Sequence, residues 1–448
     1  MENELPIGWV ETELQVVSEI LDNLRKPVNA TERGGRIGNI PYYGATGQAG
    51  WIDDYLFDEE LVLVGEDGAP FFDKTKNVAY LINGKSWVNN HAHVLKAISK
   101  ISSNKFLLHF LNQFDYKDFV GGTTRLKLTQ GDLKIIPVPL PPLPEQQRIV
   151  AKLDTLFGHL DTLKTRLDHI PQLLKDFRQK VLTQSVTGKL TEEWKEGRKL
   201  EKWNELPLNE FSTSRLGKML DKEKNQGVPT KYLRNINVRW FDIVLEDLFE
   251  IKVSEEEILK YRIQNGDVLV CEGGEPGRAA IWRNGNTNII FQKAIHRVRL
   301  NSNILPEYFL YNLKVDSVNN VLSSLFTGTT IKHLTGVAFS NYSINIPPIE
   351  EQQEIVRRVE SLFAKADQIE ASYKNLKEKV EQLPQALLAK AFRGELVEQL
   401  PTDGDARELL KQIKLAKAGL EKGGRTKKMK ENDEVRMVAE DGARYGKK

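Results

Sequence analysis

The sequence predicts a mixed chain, α/β (α+β) in class, built as two copies of one long unit, each a compact domain followed by a long helix. Three observations predict it. The junction PPLPEQQRIV at 141–150 returns as PPIEEQQEIV at 347–356. Each junction is followed by apolar residues at alternating spacings of four and three, the mark of a coiled-coil seam. The segments before the junctions instead break into short apolar runs punctuated by glycine and asparagine turns.

The repeat runs well beyond the junction. At a fixed offset, Gly122-Thr123-Thr124 falls on Gly328-Thr329-Thr330, Leu128-Thr129 on Leu334-Thr335, and the turn at Glu66, Gly68 and Pro70 on Glu272, Gly274 and Pro276. Downstream, Asp161, Leu182, Gly188 and Leu190 match Asp367, Leu388, Gly394 and Leu396. A period this long is duplication of a whole unit, not a solenoid repeat of about 20 to 50 residues. The expected organisation is a compact domain at 1–140, a spacer helix at 141–204, a second domain at 205–346, a second spacer helix at 347–400, and a short helix with a basic tail at 401–448.

In the two domains, runs such as LVLVG and DVLVCEGG read as strands, EDGAP, INGK and RNGN as turns, and KFLLHFLNQF as a helix. The spacer seams are longer and more regular. The first comprises Ile149, Leu153, Leu156, Leu160, Leu163, Leu167, Ile170, Leu174, Phe177 and Val181; the second comprises Ile355, Val359, Leu362, Ala366, Ile369, Tyr373, Leu376, Val380, Leu383 and Leu387. Two copies of one seam are expected to pair, antiparallel if a pseudo-two-fold axis relates the halves. Each helix would be a rod of about 60 Å. Pro171 and Pro384 are expected to kink or break the helices, because proline lacks the N–H and crowds the preceding turn. Glu145, Gln146, Gln147, Glu351, Gln352 and Gln353 open the helices, and the acids there suit the positive end of the helix dipole.

Composition narrows the function. With 40% hydrophobic and 28% charged residues, the chain is in the globular range, and it has no apolar run of the roughly 18 residues a membrane span needs. The opening MENELPIGWVETEL is acidic with no apolar stretch, so a cytoplasmic protein is expected. The single cysteine, Cys271, excludes an internal disulfide and a cysteine-rich zinc site. A net charge of +2 does not by itself point to nucleic acid; clustering decides that. The tail segment KGGRTKKMK is such a cluster.

No catalytic constellation is present. GGEPGR lacks the spacing, lysine and hydroxyl of a phosphate-binding loop, no GxGxxG follows a strand, and no Asn-Pro-Pro or Asp-Pro-Pro suggests an amino-methyltransferase. His91 and His93 lack a third ligand, so no metal site is expected. The polar loops instead offer contacts to DNA. Tyr43, Thr46 and Gln48 lie in the glycine-rich IPYYGATGQAGW, and Asn90 and His91 in NNHAH. Thr123, Thr124, Arg125, Thr329, Thr330 and Lys332 offer hydroxyls and cations in turns that suit phosphates. Lys231, Arg234 and Asn235, with Arg278, join cations to an amide that can pair with adenine.

With the repeat, the twin junctions and the twin seams in place, the chain resembles the specificity subunit of type I restriction-modification systems over nearly its whole length. GDVLVCEGGEPGRAA and LFTGTTIKHLT carry the likeness in the second half, whose opening residues depart from it, so the two domains are not expected to read the same bases. The resemblance implies a non-catalytic subunit acting in defence against foreign DNA. Each domain would read one part of a split site in double-stranded DNA, while the helices set the gap and dock two modification subunits. Those partners would carry S-adenosylmethionine. Two restriction subunits would bring ATP and Mg, and this chain itself would carry no cofactor. Glu145, Gln146, Gln147, Glu351, Gln352 and Gln353 are its expected structural or subunit-docking positions, together with the seam. The rival expectations are a coiled-coil scaffold that binds no DNA, an enzyme with an unrecognised site, and an orphan specificity subunit of a methylation-only system.

Overall fold

The computed structural model describes residues 4–221 and 226–411, and the expected tail helix and basic run lie almost wholly outside them, with only 406–411 seen as helix. The chain divides into two compact units, 1–167 with 375–448 and 168–374.

In the first unit, Ser18–Ile20, Ala92–Ala97, Leu61–Gly65 and Ala79–Ile82 form an antiparallel sheet in that order. The central run LVLVG is buried at every position, so both faces of its strand are covered. A second sheet has the order Gly47–Ile52, Ile40–Gly44, Lys85–Val88, Phe57–Asp58, with Ile40–Gly44 parallel to Lys85–Val88. The helix Asn104–Gln113 opens where Ser103 accepts a hydrogen bond from the Phe106 N–H, and it buries Phe106, Leu107, Phe110 and Leu111. Strands Val10–Glu13 and Pro137–Leu140 pair at the domain's exit.

The second unit repeats the plan. Ser212–Leu216, Ile295–Leu300, Val268–Cys271 and Ala279–Ile281 form the antiparallel sheet. Phe249–Val253, Val228–Leu233 and Ile290–Phe291 form the second sheet, again with one parallel pair. The helix Pro306–Val318 packs as Asn104–Gln113 does, and Asn204–Pro207 pairs with Ser343–Ile346 before the second spacer.

The spacers are single helices, Leu143–Val186 and Ile349–Phe392, of 44 residues each. Neither breaks at its proline, which corrects half of the expectation; Pro171 and Pro384 lie inside continuous helix. Pro171 is exposed, so its ring meets solvent rather than the facing helix. Within each unit the helices run antiparallel. In the first, Ile149 and Leu153 share a core with Leu388, Ala391 and Phe392; in the second, Val181 and Leu182 share one with Ile355 and Val359.

The seam is only partly closed. Ile149, Leu153, Leu160, Leu167, Leu174 and Val181 are buried, Leu156, Leu163 and Ile170 are half-buried, and Phe177 is exposed. On the second helix Ile355, Val359, Ala366 and Val380 are buried and Leu362, Tyr373 and Leu387 half-buried, but Ile369 is 52% and Leu376 42% exposed, with Leu383 close behind. Where a helix end also meets its domain, a wide face is covered; toward the helix middles one facing helix covers little more than one heptad line.

Candidate nucleic-acid interface

Four loops of the first domain converge on one edge. The Asn89 N–H donates to the Tyr43 carbonyl (3.1 Å), the Glu66 N–H to the His91 carbonyl (2.8 Å), and the Gly68 N–H to the Leu126 carbonyl (3.0 Å). These bonds bring Tyr43 and Thr46, the Glu66–Gly68 turn, Asn90 and His91, and the Gly122–Arg125 hairpin tip together. Asp67 sits between them and accepts from Arg125 Nη2 at 2.9 Å and His91 Nδ1 at 2.8 Å. Gly68 has φ +67°, a left-handed backbone that favours glycine, and a Cβ there would lie 3.3 Å from the Arg125 guanidinium. Thr46, Gln48, Asn90, Thr123, Thr124 and Arg125 are exposed; Tyr43 and His91 are half-buried.

Behind this edge lies a buried ionic cluster that the sequence reading missed. His93 bonds Asp22 Oδ2 through Nδ1 (2.6 Å) and the Leu128 carbonyl through Nε2 (2.9 Å), and Arg25 bridges Asp22 (3.3 Å) and Glu66 (2.7 Å). Burial alone would raise the Asp22 pKa, but the His93 bond and charge, the Val94 N–H and Arg25 together hold it below the usual carboxylate range. The cluster fixes both the Glu66 turn and the strand leaving the hairpin at Leu128. His91 and His93 therefore serve different carboxylates, and among the described residues no group of three or more His, Cys, Asp or Glu could hold a metal.

The second domain sets its expected contacts differently. Lys231, Thr329, Thr330 and Lys332 are exposed. Arg234, by contrast, pairs with Asp247 (2.5 Å) and lies over the Phe249 ring at 3.8 Å. Asn235 Nδ2 donates to the Gly273 carbonyl at 3.1 Å, and Arg278 is held by Glu275 (2.9 Å) and the Asn235 carbonyl (2.9 Å). These three are half-buried and brace the loops from within: Arg234 Nη2, the Asn235 side-chain amide and both Nη atoms of Arg278 have partners in the fold, while Arg234 Nε and Arg278 Nε have none among the described residues.

The two hairpins and the twin junctions now have a shared geometry to compare with known proteins. The family model described as type I restriction modification DNA specificity domain matches residues 6–172 and again 200–382. The chain belongs to this family. It is 32% identical over 338 residues, 71% of this chain and 73% of the relative, to the type I restriction enzyme EcoKI specificity subunit of Escherichia coli K12. To the EcoBI specificity subunit of Escherichia coli it is 30% identical over 84% of this chain and 83% of the relative. The fold resembles that of the crystallised HsdS subunit from Thermoanaerobacter tengcongensis, with TM-score 0.58 at 18% identity, covering 88% of this chain and 99% of that one. No helix among the described residues is long and apolar enough to cross a membrane.

In this specificity-family chain, the two junctions are built alike from parts far apart in sequence. Glu145 is 1% exposed and accepts from Trp9 Nε1 at 3.0 Å and Gln399 Nε2 at 3.4 Å. Glu351 is equally buried and accepts from Trp203 Nε1 at 2.9 Å and Thr191 Oγ1 at 2.7 Å, with Lys195 Nζ at 3.3 Å. The tryptophans went unnoticed in the sequence, although each directly precedes the strand that pairs with its domain's exit strand. Gln146 Nε2 donates to the carbonyls of Pro141 and Ile101, both at 2.9 Å; Gln352 Nε2 donates to Pro347 (2.9 Å) and Asn303 (2.8 Å). Both glutamines are buried in their own domains, the structural one of the two roles expected of them. Gln147 and Gln353 face solvent.

Proposed function

We propose that this chain is the DNA-recognition subunit of a type I restriction-modification complex. Each domain reads one part of a split, asymmetric site in double-stranded DNA, and the paired helices fix the unread gap. The observation that carries this is the duplicated build: two domains of one plan, each locked to its own spacer helix by the same Trp-Glu-Gln arrangement. The loop edges differ in polar content between the domains, as two readers of unlike sequences require. A locked junction turns helix length into spacing, with half-sites about one helical turn, 34 Å, apart.

The chain contributes recognition and no chemistry of its own. Two modification subunits supply S-adenosylmethionine and methylate adenine after flipping it from the duplex. Two restriction subunits supply ATP, Mg and cleavage. The exposed residues Gln147, Gln353, Ile369 and Leu376 suit the docking of modification subunits better than the buried seam does. The test is mapping N6-methyladenine in cells carrying this chain with its modification partner. A bipartite motif with a fixed gap is expected; an unsplit motif, or none with an active partner, overturns the proposal.

A further inference from the structure

The two domains diverge over most of their loop edge but keep one exposed feature nearly unchanged. Gly122-Thr123-Thr124 and Gly328-Thr329-Thr330 each form the tip of a short hairpin whose arms meet at Gly121↔Lys127 and at Thr327↔His333. Both glycines are left-handed, φ +102° and φ +91°, and a Cβ would strike the carbonyl oxygen three residues on, that of Arg125 at 2.4 Å or Ile331 at 2.2 Å. The base is fastened identically. The Leu128 N–H donates to the Glu66 carbonyl (2.7 Å) and the Leu334 N–H to the Glu272 carbonyl (2.8 Å). A nitrogen-bearing side chain from the returning arm then reaches the same acid, Lys127 to Glu66 at 3.2 Å and His333 Nδ1 to Glu272 at 3.1 Å. Just past the arm, Thr129 and Thr335 each cap a short helix.

Packing does not explain the sameness, since the four tip threonines are exposed and their hydroxyls have no hydrogen-bond partner among the described residues. Next to them stand Arg125 in one domain and Lys332 in the other, both exposed. A surface kept alike on two readers of different bases suits a target that is alike at both half-sites, and hydroxyls flanked by a cation suit a phosphodiester.

Resting on the reading of this chain as a DNA-recognition subunit, we propose that the two Gly-Thr-Thr hairpins are equivalent phosphate clamps. Each hydrogen-bonds a backbone phosphate through its paired hydroxyls and neutralises it with Arg125 or Lys332. The clamp seats each domain in register on the duplex, and the sequence is read by the neighbouring loops that differ. Arg125 reaches the phosphate by turning from Asp67, which keeps His91 as its partner.

The test uses the full chain assembled with its modification partner. Affinity is measured across salt concentrations for a duplex carrying the mapped site and for one lacking it. The hydroxyl variants are Thr123→Val with Thr124→Val and Thr329→Val with Thr330→Val; the charge variants are Arg125→Gln and Lys332→Gln. All should melt as the parent does. Each charge variant should weaken both duplexes by the same factor, roughly fivefold, and lower the slope of log affinity against log salt by about 0.9, one phosphate contact. The hydroxyl pairs should cost roughly tenfold on both duplexes. A change in preference between the duplexes would make the hairpins base readers and overturn the proposal. So would unchanged DNA affinity with lost capture of the modification subunit, which would make them a protein contact, and so would no change at all. If the parent itself shows no preference between the duplexes, the recognition reading fails on its own, separately from the hairpins.

Discussion

The two domains share a sheet plan and a junction, yet they close against their spacer helices differently. In the second domain a tight hairpin, Val238–Arg239 with Asp242–Ile243, carries Trp240 and Phe241 at its tip. The Phe241 ring lies 6.5 Å from Tyr311 on the domain helix and 6.5 Å from Phe363 on the spacer, its N–H donates to the Ala279 carbonyl (3.2 Å), and Lys314 sits 4.4 Å over Trp240. In the first domain no hairpin enters. His109 and Phe157 face each other at 5.5 Å, the Asn112 side chain takes the backbone of Val78 and Ala79, and a cleft of about 780 Å³ stays open, lined by Leu108, His109, Phe157, Leu160 and Leu388. The same scaffold is thus wedged in one copy and unfilled in the other. Duplication preserves the backbone hydrogen-bond frame, while side chains at the domain–helix contact are free to diverge.

The largest expected effect tests how alike the junctions are. Glu351 has a cation and two neutral donors, whereas Glu145 has only neutral donors at hydrogen-bond distance, and burial pushes the Glu145 carboxyl up. Replacing Glu351 with Gln removes the charge that Lys195, Trp203 and Thr191 all meet and should destabilise its unit by about 2 kcal/mol, in the range for hydrogen bonds to a charged group; Lys195, one-third exposed, keeps the Gly188 carbonyl. Glu145→Gln keeps a neutral acceptor where the ionised form was already disfavoured, and should cost about 1 kcal/mol. Denaturant unfolding of the two variants, followed by amide hydrogen exchange in each unit, checks this. Equal losses would show that Lys195 adds nothing.

An effect of similar size tests the wedge. Phe241 has φ +67°, a left-handed backbone that a phenylalanine adopts at a cost of about 1 to 2 kcal/mol. Phe241→Ala loses the ring contacts and keeps most of the strain; with the ring 41% exposed, the loss should be about 2 kcal/mol. Phe241→Gly loses the same contacts but relieves the backbone, so it should be the more stable of the two variants, by about 1 kcal/mol. Thermal melting of both checks the order. The reverse order would mean that the strain is not felt.

The sequence carried the repeat, the helices and the strand-rich domains because these rest on periodicity and on identity at a fixed offset, both of which survive in one dimension. It carried the hairpins Gly122–Thr124 and Gly328–Thr330 for the same reason. It did not carry the pairing of Trp9 with Glu145 or of Asp22 with His93, since those partners are brought together only when strands pair across the whole domain. Residue type did not show the internal partners of Arg234, Asn235 and Arg278: donors that can read a base can also hold carbonyls, and the fold engages them that way. The seam stays open at Ile369 and Leu376 because heptad spacing marks a face without saying how wide the covering surface is.

The smallest effect concerns acid. Each unit holds a histidine whose pKa burial pushes below its usual value: His109, where Asp154 only partly offsets the burial, and His296, whose Nε2 meets the Leu334 carbonyl at 2.7 Å. A base with a lowered folded pKa takes up a proton more readily in the unfolded chain. Its burial is therefore neutral to stability above the unfolded value of about 6.5, and stability falls as pH drops through that value toward the folded one. Both units should lose stability between pH 7.5 and 5.5, on the order of 1 kcal/mol each. His109→Leu should flatten the slope of the first unit and leave the second unchanged. Unfolding midpoints at the two pH values decide it, and a slope left unchanged by His109→Leu would show that His109 does not carry the acid response of the first unit.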